Sequence, residues 1–333
     1  MSMPVPPDPL FPETAEGDAA PAHVRYRCRH ITRYSYTVPV AASQLIAHLG
    51  PRQDARQRGR VLDMTVEPAP AVAVDRQDWL GNAVTYVAID TPHLDLTVSV
   101  DLDVAVLPRP TPDLAASPAW EDVAAQAPAL LDVAEFLESS PRLRLPSPDL
   151  AAFAADSFPP GRPVGLGAHD LMSRIHADFT FDADATTVST PVLEVLDLKR
   201  GVCQDFAHLM IGALRALGLP ARYVSGYLRT LPPPGQPRLQ GADASHAWAQ
   251  VWCGAAAGWV DMDPTNDTLA GVNHITLAYG RDYNDVSPLS GVILGGDAHA
   301  LYVSVDVEEQ GEEEPPVADS GQSQSQSQSQ EMV

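Results

Sequence analysis

The segment from Gly201 to Pro220 specifies a helix with a defined start and a defined end. Apolar residues recur in it at helical spacing: Phe206, Leu209, Met210, Ala213, Leu214 and Leu217. Gly201 gives the chain a flexible entry, and Gly218 followed by Pro220 is typical of a helix end. Cys203 therefore falls in the first turn, where free backbone N–H groups and the helix dipole favour a thiolate.

A cysteine at this place has two interpretations. It can be a small core residue, or it can be a nucleophile at the helix N-terminus. A core cysteine lies more naturally on the apolar stripe in mid-helix, so the position favours the nucleophile without establishing it.

Three strand-like runs follow the helix. The first is ARYVSGYL (221–228), and a Pro/Gly-rich loop separates it from SHAWAQVWC (245–253). Strict alternation puts His246, Trp248, Gln250 and Trp252 on one face of the second run. A histidine beside aromatic residues is usually buried and hydrogen-bonded, but His246 opens its strand after a loop and can face a cleft.

The third run is GWVDMDPTND (258–267), which Pro264 ends. A carboxylate at this strand end, one strand after the histidine, can hold the imidazole through its Nδ1–H. Asp261 and Asp263 share a face, so alternation does not choose between them. Both can instead cap the turn that follows. Together, a thiol at a helix start, a histidine opening a strand and an aspartate ending the next form a possible nucleophile, base and orienter.

The same segments resemble a known family. RGVCQDFAHLMIGALRALGLPARYVSGYL, DASHAWAQVW and GWVDMDPTN, in this order, resemble the transglutaminase-like branch of the papain-like cysteine enzymes, and in particular the bacterial transglutaminase-like cysteine proteases. The stretches RHITRYSYTVPV, DWLGNAV and TPHLDLTV, with the Pro51-Arg52 pair, are similar to the β domain that precedes the core in bacterial members. The resemblance implies an α+β fold, in which a helix bearing the cysteine packs on an antiparallel sheet after a small β-rich domain.

The resemblance also implies roles. Cys203 matches the nucleophile, His246 the base and Asp263 the third member of a triad, with Asp261 as the runner-up. The backbone N–H of Cys203 is the expected oxyanion donor, and Gln204, Trp248 and Asp261 are expected to support the site. Val202 and Gln204 stand where animal transglutaminases carry Gln and Trp, and the second oxyanion donor is not identified.

The expected chemistry is acyl transfer through a thioester on peptide amide or isopeptide bonds. We expect a hydrolase, because water needs no dedicated acceptor pocket. The alternatives are a protein-glutamine transamidase that crosslinks proteins, and a non-catalytic peptide-binding module that retains the triad. No cofactor or metal is expected. A metal site from Cys203, His208 and His246 is disfavoured, because the first two lie on different helix faces and no CxxC or HExxH spacing occurs.

Composition limits the partners and the compartment. A net charge of −22 argues against nucleic acid and against anionic membranes as partners. The expected partner is a peptide or protein substrate, and the oligomeric state stays open. Three cysteines do not form a disulfide framework, and no signal peptide or membrane-spanning run is recognised, so we expect a cytoplasmic protein.

Composition also divides the chain into five regions. We expect disordered tails at 1–22 and 306–333, the second acidic and Ser/Gln-rich. A β-rich domain is expected at 23–107, with Gly81-Asn82 in a hairpin turn. A helical connection is expected at 108–165, with Ser147-Pro148-Asp149 starting a helix. The catalytic core is expected at 166–305, with a further helix at 168–179.

Overall fold

The structure is a computed structural model that describes residues 23–108, 110–230 and 244–310. The expected tail at 1–22, and all but the first residues of the one at 306–333, lie outside this part. The strands are β1 Val24–Ala47, β2 Gln57–Glu67, β3 Val72–Gln77, β4 Ala83–Ile89, β5 His93–Val106, β6 Thr180–Phe181, β7 Arg200–Gly201, β8 Ala221–Leu228, β9 Ala244–Trp252, β10 Trp259–Asp263, β11 Thr268–Leu269, β12 His274–Gly280, β13 Leu289–Gly295 and β14 His299–Glu309. The helices are α1 Trp120–Gln126, α2 Leu131–Ala134, α3 Pro148–Ala155, α4 Val164–Asp178, α5 Val192–Leu198, α6 Cys203–Ala216 and α7 Tyr283–Val286.

A large antiparallel sheet forms the N-terminal domain. Its strand order is β2-β5-β1-β4-β3, and β13 and β14 also pair with β1. The buried side chains of β1 alternate along the strand and include Tyr26, Cys28, His30 and Thr32. The predicted hairpin joins β3 to β4, with Gly81 at a φ of +76° that glycine adopts without strain.

The end of the chain returns to this sheet. β14 pairs with β1 from Tyr26 opposite Glu309 to Tyr36 opposite His299. The boundary that we placed between residues 305 and 306 therefore falls inside a strand, and 289–309 belong to the N-terminal sheet rather than to the core or a disordered tail. The physical reason is that the long strand β1 needs a partner to satisfy its backbone hydrogen-bonding groups. The local sequence of β14 does not reveal that it is this partner.

The second unit packs α6 against a sheet of order β11-β10-β9-β8-β12. The predicted helix begins at Cys203 and ends at Ala216, and Gly218 follows at a φ of +78°. The connecting region holds α1, α2 and α3, the last with Ser147 Oγ accepting from the backbone N–H of Leu150. The fold is α+β, with the cysteine helix on an antiparallel sheet and a β-rich domain before it. No helix of the described ranges is long and apolar enough to cross a bilayer.

Buried polar contacts join the two units. Arg56 of the β1–β2 connection forms an ion pair with Asp261 of β10 at 2.5 Å. The Gln57 side-chain amide donates to the Thr276 carbonyl at 2.7 Å, and that of Asn82 donates to the Tyr279 carbonyl at 2.8 Å. Because these groups are mostly or fully buried, the contacts fix the N-terminal sheet against β10 and β12.

Candidate active site

Cys203 is the first residue of α6 and is half-buried. Its backbone N–H is among the helix-start donors that have no partner within the helix. The turn before it is held by Asp205, whose Oδ2 accepts from the Val202 N–H at 2.9 Å and from the Thr186 hydroxyl at 2.6 Å. Burial raises the pKa of Asp205, while these two hydrogen bonds act to lower it. The sulfur is therefore presented from a fixed helix start.

His246 lies near the start of β9 and contacts both other predicted residues. Its Nε2 is 2.8 Å from Oδ2 of Asp263, which leaves Nδ1 for the hydrogen bond with Cys203. The sequence argument placed the aspartate on Nδ1, and this was wrong. Asp263 contacts Nε2 instead, so Nδ1 is the ring nitrogen that remains for Cys203.

Asp263 accepts five hydrogen bonds. Besides His246, Oδ2 accepts from Asn266 Nδ2 at 2.7 Å and from His274 Nε2 at 3.1 Å. Oδ1 accepts from the backbone N–H groups of Thr265 at 3.0 Å and Asn266 at 3.3 Å. Capping the turn and holding the imidazole, which the sequence presented as alternatives, are therefore both done by one carboxylate.

These contacts determine the protonation states of His246 and Asp263. Burial alone lowers the pKa of His246, but the hydrogen bonds to Asp263 and Cys203 outweigh it and raise that pKa from 6.5 to about 10. Burial acts to raise the pKa of Asp263, yet the donors from His246 and His274 hold it well below its usual range. The arrangement therefore favours a positively charged imidazole against a fixed carboxylate.

Asp261 has a different set of partners. Its Oδ1 accepts from Trp248 Nε1 at 2.9 Å and from Gln250 Nε2 at 2.7 Å, and its Oδ2 pairs with Arg56. It orients the indole of Trp248, whose ring centroid lies 6.1 Å from that of His246. Asp261 thus contacts Trp248 on one side and links the two domains through Arg56 on the other.

The sequence reasoning missed His274, which opens β12. Nδ1 of His274 accepts from the Gly271 N–H at 3.3 Å, so the neutral ring carries its proton on Nε2, directed at Asp263. The signal that could have found it is the one that found His246, a histidine at the start of a strand. Asn266 was also missed, although it closes the quoted motif.

Three side chains of types that can bind a metal lie close together, but they are not the set considered from the sequence. His246, Asp263 and His274 offer ligand atoms within 4.8 Å of one another. Hydrogen bonds account for their spacing. His208 instead accepts the backbone N–H of Tyr283 at 3.1 Å, and in the described ranges it forms no such cluster with Cys203.

Two cavities adjoin this group of side chains. A small cleft of about 70 Å³ is lined by Cys203, His246 and Gln204, together with residues of the N-terminal sheet. A larger cavity of about 470 Å³ lies between the domains, where Arg56 faces Trp248, Asp261 and His274. Gln204, predicted to support the site, is thus in the cleft, and its side-chain amide donates to the Val188 carbonyl at 3.3 Å.

Each of the two units matches a known protein family. Residues 160–264 match the transglutaminase-like superfamily, and residues 26–105 match the bacterial transglutaminase-like N-terminal region. The chain belongs to the transglutaminase-like superfamily. An uncharacterized protein of Mycobacterium tuberculosis is 43% identical over 289 residues, covering 85% of this chain and 92% of that protein.

Two further similarities concern named proteins. A solved structure from Cytophaga hutchinsonii, provisionally named a cysteine protease, has a TM-score of 0.67 at 20% identity and covers 90% of this transglutaminase-like chain and 95% of its own. This likeness concerns the fold. A protein-glutamine gamma-glutamyltransferase of Pseudomonas aeruginosa is 39% identical over 72 residues, which are 21% of this chain and 11% of that protein.

Proposed function

We propose that this chain is a cysteine-dependent acyl-transfer enzyme that hydrolyses peptide amide or isopeptide bonds through a thioester. One observation carries the proposal: Cys203, at a helix N-terminus, is hydrogen-bonded to His246, which is in turn bonded to the buried Asp263. Nucleophile, base and orienter are the groups that such chemistry needs, and here they form one hydrogen-bonded chain.

The steps follow from the contacts. The Cys203 thiolate attacks the amide carbon, and the negative oxygen accepts from the free Cys203 backbone N–H. The imidazolium of His246 gives its Nδ1 proton to the departing amine as the C–N bond breaks, which leaves a thioester. Neutral His246 then takes a proton from water as the hydroxide attacks the thioester. The C–S bond breaks, the carboxylic acid leaves, and the Cys203 thiolate and the His246 imidazolium are restored. Asp263 stabilises the imidazolium and fixes the ring throughout.

Hydrolysis and transamidation differ only in the second nucleophile. The small volume of the cleft at Cys203 supports water, which needs no acceptor pocket. The 72-residue similarity to a gamma-glutamyltransferase favours transamidation as the second candidate. A binding module without catalysis is less well supported, because all three groups are kept in hydrogen-bonding arrangement.

The test is a screen of peptide amides and isopeptides with and without an added primary amine, read by mass spectrometry. We expect the free acid in both cases, and loss of turnover in Cys203→Ser but not in Cys253→Ser, a buried thiol away from the cleft. An amine adduct as the main product would replace hydrolysis by transamidation. Turnover that survives Cys203→Ser would contradict the nucleophile assignment.

The cellular compartment is proposed together with the activity. No disulfide joins the three cysteines, all of which lie in the described ranges, and this supports a reducing compartment such as the cytoplasm. A peptide or protein partner is proposed on the same grounds as the activity.

A further inference from the structure

The cleft at Cys203 has a wall that the catalytic unit does not supply. Thr32 and Tyr34 of β1 and Val303 of β14 line it, facing Cys203 and His246. Thr32 and Val303 are paired across the two strands, so they form one continuous surface. A group bonded to the Cys203 sulfur therefore lies between the N-terminal sheet and the catalytic unit.

The described lining of this cleft contains no Asp, Glu, Lys or Arg. Its histidine other than His246 is His30, which bonds to the Tyr227 hydroxyl at 2.9 Å and the Thr32 hydroxyl at 2.8 Å. Burial lowers the pKa of His30 to about 4, so the ring is neutral. Burial also raises the pKa of Tyr34 and Tyr223, which keeps both phenols protonated. Apart from the Cys203–His246 pair itself, the side chains that line the cleft are thus uncharged, in a protein of net charge −22.

The cleft is also small. Its volume is about 70 Å³, against about 470 Å³ for the interdomain cavity, and pockets for drug-sized ligands hold roughly 300–1,000 Å³. A charged group that entered would lose its hydration without meeting an unpaired counter-ion, because His246 is already paired with Asp263 and with Cys203. A bulky group would have to displace one of the two walls.

We propose that this cleft binds a short, uncharged acyl group, so that the substrates are amides in which a small neutral residue such as glycine, alanine or serine donates the carbonyl. The N-terminal sheet is then a specificity element of the enzyme. This inference rests on the proposed function, because it takes Cys203 as the nucleophile.

Peptidyl chloromethyl ketones test the inference on the full chain. The thiolate displaces chloride, so a C–S bond forms and the C–Cl bond breaks, and the acyl-side residue stays in the cleft. We would compare acetyl-alanyl, acetyl-glutamyl, acetyl-lysyl and acetyl-tryptophanyl ketones by the rate of Cys203 labelling, each divided by its rate with glutathione. We expect the alanyl reagent to be faster than each of the others by at least about tenfold. Equal rates would overturn the inference.

Substitutions in the wall give a second readout. In Val303→Glu, the new carboxylate should raise the ratio of lysyl to alanyl labelling by at least about tenfold. Val303→Gln controls for size, and Tyr302→Glu places the same charge at the neighbouring, exposed position of β14. Both controls should keep the wild-type ratio. A ratio unchanged in folded Val303→Glu, judged by circular dichroism, would show that this wall does not select; if that variant does not fold, the wild-type comparison decides alone.

Iodoacetamide separates the two possible failures. If it labels Cys203 rapidly at acid pH but the charged ketones match the alanyl one, the inference is wrong and the proposed function stands. If neither iodoacetamide nor any ketone labels Cys203, the nucleophile assignment is wrong and the inference is overturned with it.

Discussion

At the scale of single residues, two aspartates two positions apart have separate tasks. Alternation along β10 could place Asp261 and Asp263 on one face but could not distinguish them. The partners that distinguish them come from remote parts of the chain: Arg56 reaches Asp261, and His246 and His274 reach Asp263. The family resemblance supplied the preference for Asp263, and the structure places this carboxylate, rather than that of Asp261, in contact with His246.

Replacing each aspartate by asparagine should lower mainly the activity in one variant and mainly the stability in the other. Asp263→Asn removes the charge that stabilises the His246 imidazolium, so we expect kcat/KM to fall by at least about a hundredfold. Asp261→Asn leaves Arg56 without its counter-ion in a mostly buried position, so we expect the free energy of unfolding to fall by about 2 kcal/mol. Kinetics and chemical denaturation of both variants check this, and the reverse ranking of activities would move the orienter to Asp261.

His274 is a positioning residue for Asp263 in this account. In His274→Phe, the carboxylate loses one of its donors, so we expect kcat to fall about tenfold to a hundredfold while KM changes little. His274→Gln keeps an N–H donor of similar reach and should recover most of the loss. Equal kinetics in the two variants would show that the hydrogen bond to Asp263 is not what His274 contributes.

At the scale of elements, the helix and strands around Cys203 were predictable. Their start and stop residues are local signals: Gly201, Gly218 and Pro264 act within a few positions of where they stand. β14 was not predictable in this way, because its pairing with β1 spans most of the chain. The capping of Val202 by Asp205 is local, but Thr186, which holds that carboxylate, comes from a separate loop.

The start of α6 depends on the absence of a side chain at Gly201. A Cβ there would lie 2.6 Å from Oδ2 and 2.9 Å from Cβ of Asp205, so Gly201→Ala must displace the carboxylate that caps Val202. We expect the free energy of unfolding to fall by about 1–3 kcal/mol and the alkylation of Cys203 to slow. Gly258→Ala is a control away from this helix start, whose Cβ meets no atom within 4 Å but whose φ of +66° adds backbone strain. Cys203 alkylation as fast in Gly201→Ala as in the control would contradict the role given to this helix start.

At the scale of the whole molecule, buried histidines make stability depend on pH on both sides. Burial lowers the pKa of His30 and of His208 from 6.5 to about 4. In this pH range the two histidines bind protons in the unfolded chain but not in the folded protein. The free energy of unfolding therefore decreases as the pH falls from 6.5 towards 4. The raised pKa of His246 acts the other way: its contribution is complete below pH 6.5 and is lost as the pH rises towards 10.

Melting temperatures measured from pH 4 to pH 10 should therefore pass through a maximum. His208→Gln can still accept the Tyr283 N–H but cannot take a proton, so it should remove up to about 3 kcal/mol of the acid-side loss. His176→Gln, at an exposed position, should leave the profile as it is. An acid limb equally steep in His208→Gln would show that this ring is not a source of the loss.

Both domains contribute to the site. The β1–β2 connection supplies Arg56 to Asp261, and the N-terminal sheet supplies a wall to the cleft at Cys203. Neither contribution could be read from the sequence of the catalytic unit. A sequence pattern predicts the local structure of one segment. These contacts depend instead on how the two domains pack against each other. That is why the sequence could predict that Cys203, His246 and Asp263 lie together, whereas it missed His274, Asn266 and the wall of the cleft.

The central claim is that Cys203 and His246 form an ion pair, and alkylation by iodoacetamide tests it most directly. The rate at each cysteine would be read by peptide mass spectrometry from pH 4 to pH 9, in the wild type and in His246→Ala. Cys28 and Cys253 are fully buried and serve as internal controls. We predict rapid modification of Cys203 alone below neutral pH, lost in His246→Ala. A Cys203 rate that rises only above pH ~8, as for an ordinary thiol, or that is the same in both proteins, would contradict the account.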